Sequence, residues 1–171
     1  ATDPLTGLLN RRGLETRLEA LVRLKTERIG MIYADVDNLK PFNDAYGHAD
    51  GDLMLLEIIS RIRSVLREDD LLARVGGDEF VVVLPRLQEV EDARRLGERM
   101  QQAMEVPWMH RQTPVQLSLS MGIALKDAPL LSVQDSQALL RRADLAMYEA
   151  KTAGRHAIHI AAAGDSAASD R

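Results

Sequence analysis

RVGGDEFVVVL, residues 74–84, puts two adjacent glycines, two acids and an unbroken apolar run into one short stretch. Paired glycines between β-forming residues predict a tight hairpin, because the favoured two-residue turns need positive φ. Asp78 and Glu79 then fall at or just past its tip, where carboxylates on a two-stranded ribbon can meet a ligand. Gly-Gly-Asp is equally ordinary surface-turn chemistry, so the stretch decides local structure before it decides function.

Working outward, the hairpin strands are expected at 71–75 and 79–84, with Pro85 ending the second. Upstream, Leu53, Leu56, Ile59, Ile62 and Leu66 recur at helical spacing, predicting a helix that starts near Asp50 and stops before Asp69. A polar stretch with Pro41 separates it from a strand at 29–35, which runs into Asp35-Val36-Asp37. Residues two apart on a strand share a face, so both carboxylates point one way if the extended geometry continues. Leu14, Leu18, Leu21 and Val22 predict a first helix over 10–25 with Asn10 as its cap. Downstream come a helix over 89–106, an alternating strand over 115–124, a helix over 135–152 stopped by Gly154, and a short strand over 156–160.

This order suggests an α/β protein of the α+β type: a central mixed sheet, antiparallel in part, with helices packed on it. If they cover one face, the other face or an edge is left for a site or a partner. At 171 residues one domain is expected, over 1–160, followed by a small-residue flexible tail over 161–171. The opening loop with Pro4 and Gly7 reads as cut from a longer chain, since such a loop normally follows an element that positions it.

Apolar residues make up 46% and charged residues 28%, a globular balance without an apolar span of membrane length. Cysteine is absent, which removes disulfides and thiolate chemistry and fits the cytoplasm. A net charge of -4 gives no support to a nucleic-acid polymer as partner, though a few local cations can still hold one nucleotide. Trp108 and the four histidines have no cofactor spacing, and the methionines at helix positions read as core fillers.

Asp35 and Asp37 end one strand, and Asp78 and Glu79 sit at a hairpin tip beside it if the strands pair. Clustered carboxylates repel unless a cation compensates them, and hard oxygen ligands favour Mg²⁺ or Mn²⁺ over zinc. Read separately, the same acids are solvated loop residues. Magnesium on carboxylates usually also needs phosphate oxygens, for which Lys40, Lys151 and Arg155 are the candidate cations. Lys151 is equally explained by the dipole of the helix that it closes.

As a set, DPLTGLLNRR from Asp3, DVDNLKPFNDAYGHADGD from Asp35, RVGGDEF from Arg74 and ADLAMYEAKTAGRH from Ala143 resemble the GGDEF-domain diguanylate cyclases. Four separated motifs in the family's order make that resemblance specific, over about residues 3–160. It implies a central sheet surrounded by helices, like the palm of nucleotidyl cyclases. It also implies a reaction that condenses two GTP into cyclic di-GMP with release of two pyrophosphates. Two domains face each other in a homodimer, each presenting one GTP; the isolated chain need not hold that dimer, and a regulatory N-terminal domain is expected to be missing.

Carried over by position, Asp35, the Val36 carbonyl and Glu79 resemble metal ligands, and Asp78 a second metal contact or base. Lys40, Lys151 and Arg155 resemble phosphate contacts, Lys40 within the catalytic set, while Asp37 orients the site or binds metal. Asn43 and Asp52 resemble the guanine readers; a carboxylate can accept from guanine N1–H and its exocyclic amine. Gly76 and Gly77 would let backbone approach the nucleotide. Arg67 and Asp70 resemble an inhibitory RxxD site for cyclic di-GMP, which normally needs a further arginine from elsewhere. The chain departs mildly at Leu39, where the family has Phe, and at His156, where it has Asn after Gly-Arg. Two other readings stand beside the cyclase: a non-catalytic module that binds GTP or cyclic di-GMP, and a cyclase accepting ATP, which the retained Asp52 disfavours.

Overall fold

The computed structural model describes residues 1–162. In chain order the elements are α1 (Arg11–Arg23), β1 (Ile29–Val36), α2 (Leu39–Tyr46), α3 (His48–Val65), β2 (Leu71–Arg74), β3 (Glu79–Leu84), α4 (Glu91–Ala103), β4 (Trp108–His110), β5 (Thr113–Val115), β6 (Leu119–Lys126), α5 (Val133–Thr152) and β7 (Ile158–Ile160). Five strands form one sheet in the order β2-β3-β1-β6-β7, and β4-β5 is a separate hairpin. All neighbours are antiparallel except β6 and β7, so the sheet is mixed, as expected.

β1 lies at the centre and is buried along its whole length. The reason is that helices cover both faces of the sheet, as the family resemblance implied, so of the face or edge considered from sequence only an edge or end is left for a site. On one side Ile32, Ala34, Phe80, Val82 and Ile123 pack with α3 and α4 through Ile58, Ile62, Leu96 and Met100. On the other, Met31, Tyr33, Val81, Val83 and Ala124 pack with α1 and α5 through Leu14, Leu18, Leu139 and Met147. Burying one such aliphatic side chain contributes roughly 1.5–3 kcal/mol, so the two layers are ample to fix the strand register.

Asn10 caps α1 as its sequence implied, accepting from the Gly13 amide at 2.9 Å. The opening loop is tied down through the Arg74 amide, which donates to the Leu9 carbonyl at 2.8 Å, and through an Arg74–Asp3 ion pair at 3.2 Å. Two elements escaped the sequence reading. The polar stretch around Pro41 is helix α2, where proline stands in the first turn and leaves no helical hydrogen bond unmade. Left-handed Asn38 (φ 66°) and Gly47 (φ 93°) bracket it and separate it from α3. The strand expected over 115–124 is β5 and β6 with a break between them, and Trp108, read as packing near a loop, sits in β4 against Phe42 and His110. The methionines at helix positions, Met54, Met100 and Met147, with Met104 at the C-cap of α4, are buried as core fillers. The tail over 161–171 lies almost entirely outside the described residues. Among the described residues no helix is long and apolar enough to cross a membrane.

Candidate active site

The register of the two central strands sets Asp35 directly opposite Glu79 at one end of the sheet. The next residue closes the corner: the Val36 amide donates to the Asp78 carbonyl at 2.9 Å. The hairpin connection differs from a two-residue glycine turn. Its loop is Val75 to Asp78, with the Val75 and Gly76 amides both donating to the Glu79 carbonyl at 2.9 and 3.3 Å. Neither Gly76 nor Gly77 has positive φ. Gly76 is small for another reason, since a Cβ there would lie 3.2 Å from Glu79 Oε1. Arg74 stiffens the loop by donating to the Gly77 carbonyl at 2.7 Å.

Helix α5 brings the cation. It packs so closely on β6 that a Cβ on Gly122 would stand 2.1 Å from the Met147 amide nitrogen. Its last turn thereby delivers Lys151, whose Nζ lies 2.7 Å from Asp35 Oδ1, 3.4 Å from the Val36 carbonyl and 3.5 Å from Asp37 Oδ1. Burial pushes the Asp35 carboxyl up to about 6; the Lys151 ammonium opposes this, and the charges of Asp78 and Glu79 reinforce it. An ammonium thus rests on the same two oxygens, Asp35 Oδ1 and the Val36 carbonyl, that the sequence marked for a metal. Hard oxygen donors already occupied by a cation fit Mg²⁺ or Mn²⁺. Among the described residues no group of three or more acidic, histidine or cysteine ligands converges on one point, so phosphate oxygens would have to complete such a shell.

Asp37 goes elsewhere. It stands past the end of β1, so the shared-face geometry stops at Asp35, and its buried carboxylate accepts from Ser118 Oγ at 2.5 Å, Ser120 Oγ at 2.7 Å and the His156 amide at 3.1 Å. His156 Nδ1 also lies 3.1 Å from Ser118 Oγ. Asp37 therefore ties β1 and β6 to the turn carrying Arg155, a turn with two successive left-handed residues at φ 66° and 45°. From it, Arg155 donates to Asn38 Oδ1 at 3.0 Å.

Asn43 lies against the start of α3: its Oδ1 is buried without a hydrogen-bond partner, and a Cβ on Gly51 would fall 1.6 Å from it. Lys40 is not gathered into the acid cluster; it is 88% exposed and pairs with Asp44 at 3.3 Å. Arg67 and Asp70 form a turn, with the Arg67 amide donating to Asp70 Oδ2 at 2.8 Å, and burial raises the Asp70 carboxyl. Both line a cavity of about 390 Å³ together with Arg86, Asp92 and Arg99.

Several residues of the corner were not singled out from sequence, namely Tyr33, Arg11, Ser118 and Ser120, and neither was Arg99 of the Arg67–Asp70 cavity. Ser118, just before β6, and Ser120 within it both turn toward Asp37, a placement that depends on register. Tyr33 had a usable signal, since it lies two residues before Asp35 on the same face of β1.

The geometry defines the class first: a helix-flanked mixed sheet whose central strand and neighbouring hairpin bring two acids to one corner, under a lysine. Comparison with known proteins narrows it. Residues 1–157 match the family described as "Diguanylate cyclase, GGDEF domain". The chain is 40% identical over 171 residues to diguanylate cyclase TpbB of Pseudomonas aeruginosa, covering 95% of this chain and 38% of that protein. The solved GGDEF domain of TpbB from the same organism superposes with a TM-score of 0.85 at 39% identity, covering 95% of each chain. The GGDEF domain of DgcB from Caulobacter crescentus, solved in complex with c-di-GMP, gives 0.81 at 30% identity, covering 93% of this chain and 92% of that one. The chain belongs to the GGDEF-domain diguanylate cyclase family. It spans between 22% and 38% of the length of the first curated relatives that it matches.

Proposed function

We propose that the chain is the catalytic domain of a diguanylate cyclase, condensing two GTP into cyclic di-GMP with release of two pyrophosphates across a homodimer. The observation that carries this reading is Asp35 and Glu79 facing each other on adjacent strands, with the Lys151 ammonium bound to Asp35 and the Val36 carbonyl.

Asp35, the Val36 carbonyl and Glu79, with Asp78 beside them, would hold Mg²⁺ or Mn²⁺. A divalent ion held by these residues would supply Lewis-acid stabilisation for a 3′-alkoxide and for the charge on the α-phosphate and the leaving pyrophosphate. Lys151 neutralises Asp35 in the nucleotide-free domain and turns to phosphate oxygens when a stronger cation takes that carboxylate. Arg155 offers its guanidinium fork to the same phosphates. The Gly76-Gly77 backbone leaves room for the triphosphate, while Asn43 and Asp52 read guanine. Lys40, on the exposed first turn of α2, reaches a phosphate only by leaving Asp44. One domain positions one nucleotide, and its 3′-hydroxyl attacks the α-phosphate held by the partner. Most of the acceleration is therefore positioning and electrostatics.

Product control would act at Arg67 and Asp70, and Arg99 is a candidate for the further cation because it lines the same cavity. Arginine forks to phosphate or stacks on guanine, and the acid accepts from guanine. The testing experiment incubates the chain, free and fused to a constitutive dimeriser, with GTP and Mg²⁺, and identifies products by mass spectrometry. Cyclic di-GMP from the fusion is expected. A folded, dimerised protein that binds GTP and makes none would transfer it to the non-catalytic signalling modules.

A further inference from the structure

Tyr33 has no part in the chemistry described so far, yet it reaches that chemistry. It lies on β1 two residues before Asp35, pairs with Val81 of β3, and so stands diagonal to Glu79 on the same face of the sheet. Its ring is 3% exposed in the layer under α1 and α5, and its Oη lies 3.0 Å from Glu79 Oε1. Phenylalanine would fill that volume equally well. A buried hydroxyl is retained at a cost unless it is bonded, and here the bond goes to a carboxylate of the site.

The direction of that bond follows from charge. A phenol keeps its proton at neutral pH and an ionised carboxylate can only accept, so Tyr33 donates to Glu79. Arg11, at the start of α1, lies near the phenol and donates to the Val75 carbonyl at 3.3 Å. The arginine thus stands beside Tyr33 and grips the loop that leads into Glu79.

We propose that Tyr33 is a positioning residue for the metal site: its hydroxyl holds one oxygen of Glu79, presents the other to the divalent cation, and is itself steadied by Arg11. This rests on the reading of Glu79 as a metal ligand. A glutamate has several rotatable bonds, and fixing them before the ion arrives removes an ordering cost from binding. Partners that orient a ligating side chain are typically worth 10–100-fold in metal affinity.

The test measures Mn²⁺ binding by electron paramagnetic resonance in the presence of 3′-deoxy-GTP, which cannot cyclise, on the wild-type chain and its Tyr33→Phe, Arg11→Met and Glu79→Gln variants. Tyr33→Phe is expected to raise the Mn²⁺ dissociation constant about tenfold and Arg11→Met a few fold, with thermal unfolding little changed. In the dimerised chain, Tyr33→Phe should raise the Mg²⁺ concentration needed for half-maximal rate while the KM for GTP at saturating Mg²⁺ stays within about twofold. A folded Tyr33→Phe protein with wild-type Mn²⁺ affinity overturns the proposal. Should that variant not fold, unchanged affinity in Arg11→Met, a substitution at the surface, overturns it instead. Unchanged Mn²⁺ affinity in Glu79→Gln would instead remove Glu79 from the metal ligands, a separate failure.

Discussion

Asp35 and Glu79 are partners in the β1–β3 ladder, two carboxylates held side by side at the rim of an otherwise apolar sheet. Like charges directly opposite each other destabilise a sheet by up to about 1 kcal/mol. Lys151 offsets that repulsion in the free domain from a helix more than a hundred residues downstream. The arrangement is intelligible as a cation site and poor as a purely structural one.

Glu79→Gln removes one charge of the pair and keeps its shape. Turnover by the dimerised chain is expected to fall on the order of 10³-fold or more, since a metal ion contributes several kcal/mol of charge stabilisation and each 1.36 kcal/mol is tenfold in rate. Thermal stability without metal should hold or rise slightly. Rate assays beside unfolding curves check both, and an unimpaired rate with Mg²⁺ would remove Glu79 from the catalytic set.

The raised Asp35 carboxyl, at about 6, makes metal binding a proton-releasing event. At pH 6 about half of the metal-free protein carries a proton there, so loading metal with 3′-deoxy-GTP should release about half a proton, and almost none at pH 8. Titration calorimetry in buffers of different ionisation enthalpy measures this directly. The stability sign is fixed by the same shift. An acid whose folded pKa is raised adds no penalty below its unfolded value of 3.8, and the metal-free domain loses stability as pH rises from there through about 6.

Gly51→Ala would drive a methyl group into Asn43 Oδ1, 1.6 Å from the built position. The Asn43 side chain must swing away from Gly51 and lose the placement proposed for reading guanine, so affinity for 3′-deoxy-GTP is expected to fall at least tenfold with the acid corner intact. Asp52→Ala, which leaves Asn43 in place, should instead narrow discrimination of GTP from ATP. Equal selectivity before and after would defeat the guanine assignment.

Gly122→Ala meets backbone, not a pliable side chain, at 2.1 Å from the Met147 nitrogen and 2.2 Å from the Ala143 carbonyl oxygen. Helix α5 would have to lift from β6, at a cost of roughly 1–3 kcal/mol or more. Denaturant unfolding gives the cost, and Lys151 should lose its hold on Asp35. A variant as stable as the wild type would show that α5 is less tightly seated than described.

Most of this architecture was legible because its signals are local. Asn10 before a leucine-spaced run marks a cap, alternation around Leu119 and Met121 marks a strand, and Pro85 marks a stop. The pairing of Asp35 with Glu79 could be anticipated only as a consequence of adjacent strands. What escaped was tertiary or atypical in composition. Helix α2 is short, polar and begins with a proline within its first turn, and the β4–β5 hairpin has three residues on each side. Asp37 shares its spacing with a metal ligand, yet the backbone leaves the strand at that residue, and Ser118 just before β6 and Ser120 within it claim the carboxylate. Arg99 reaches the Arg67–Asp70 cavity only because α4 packs beside α3, which no local pattern encodes.

The most direct measurement is an anomalous difference map from crystals of the chain grown with Mn²⁺ and 3′-deoxy-GTP. The account expects a peak within about 2.0–2.2 Å of carboxylate oxygens of both Asp35 and Glu79, beside the triphosphate, with the Lys151 ammonium displaced onto phosphate. A bound nucleotide whose phosphates lie away from this corner, with Lys151 still seated on Asp35 and no metal between the strands, would contradict it.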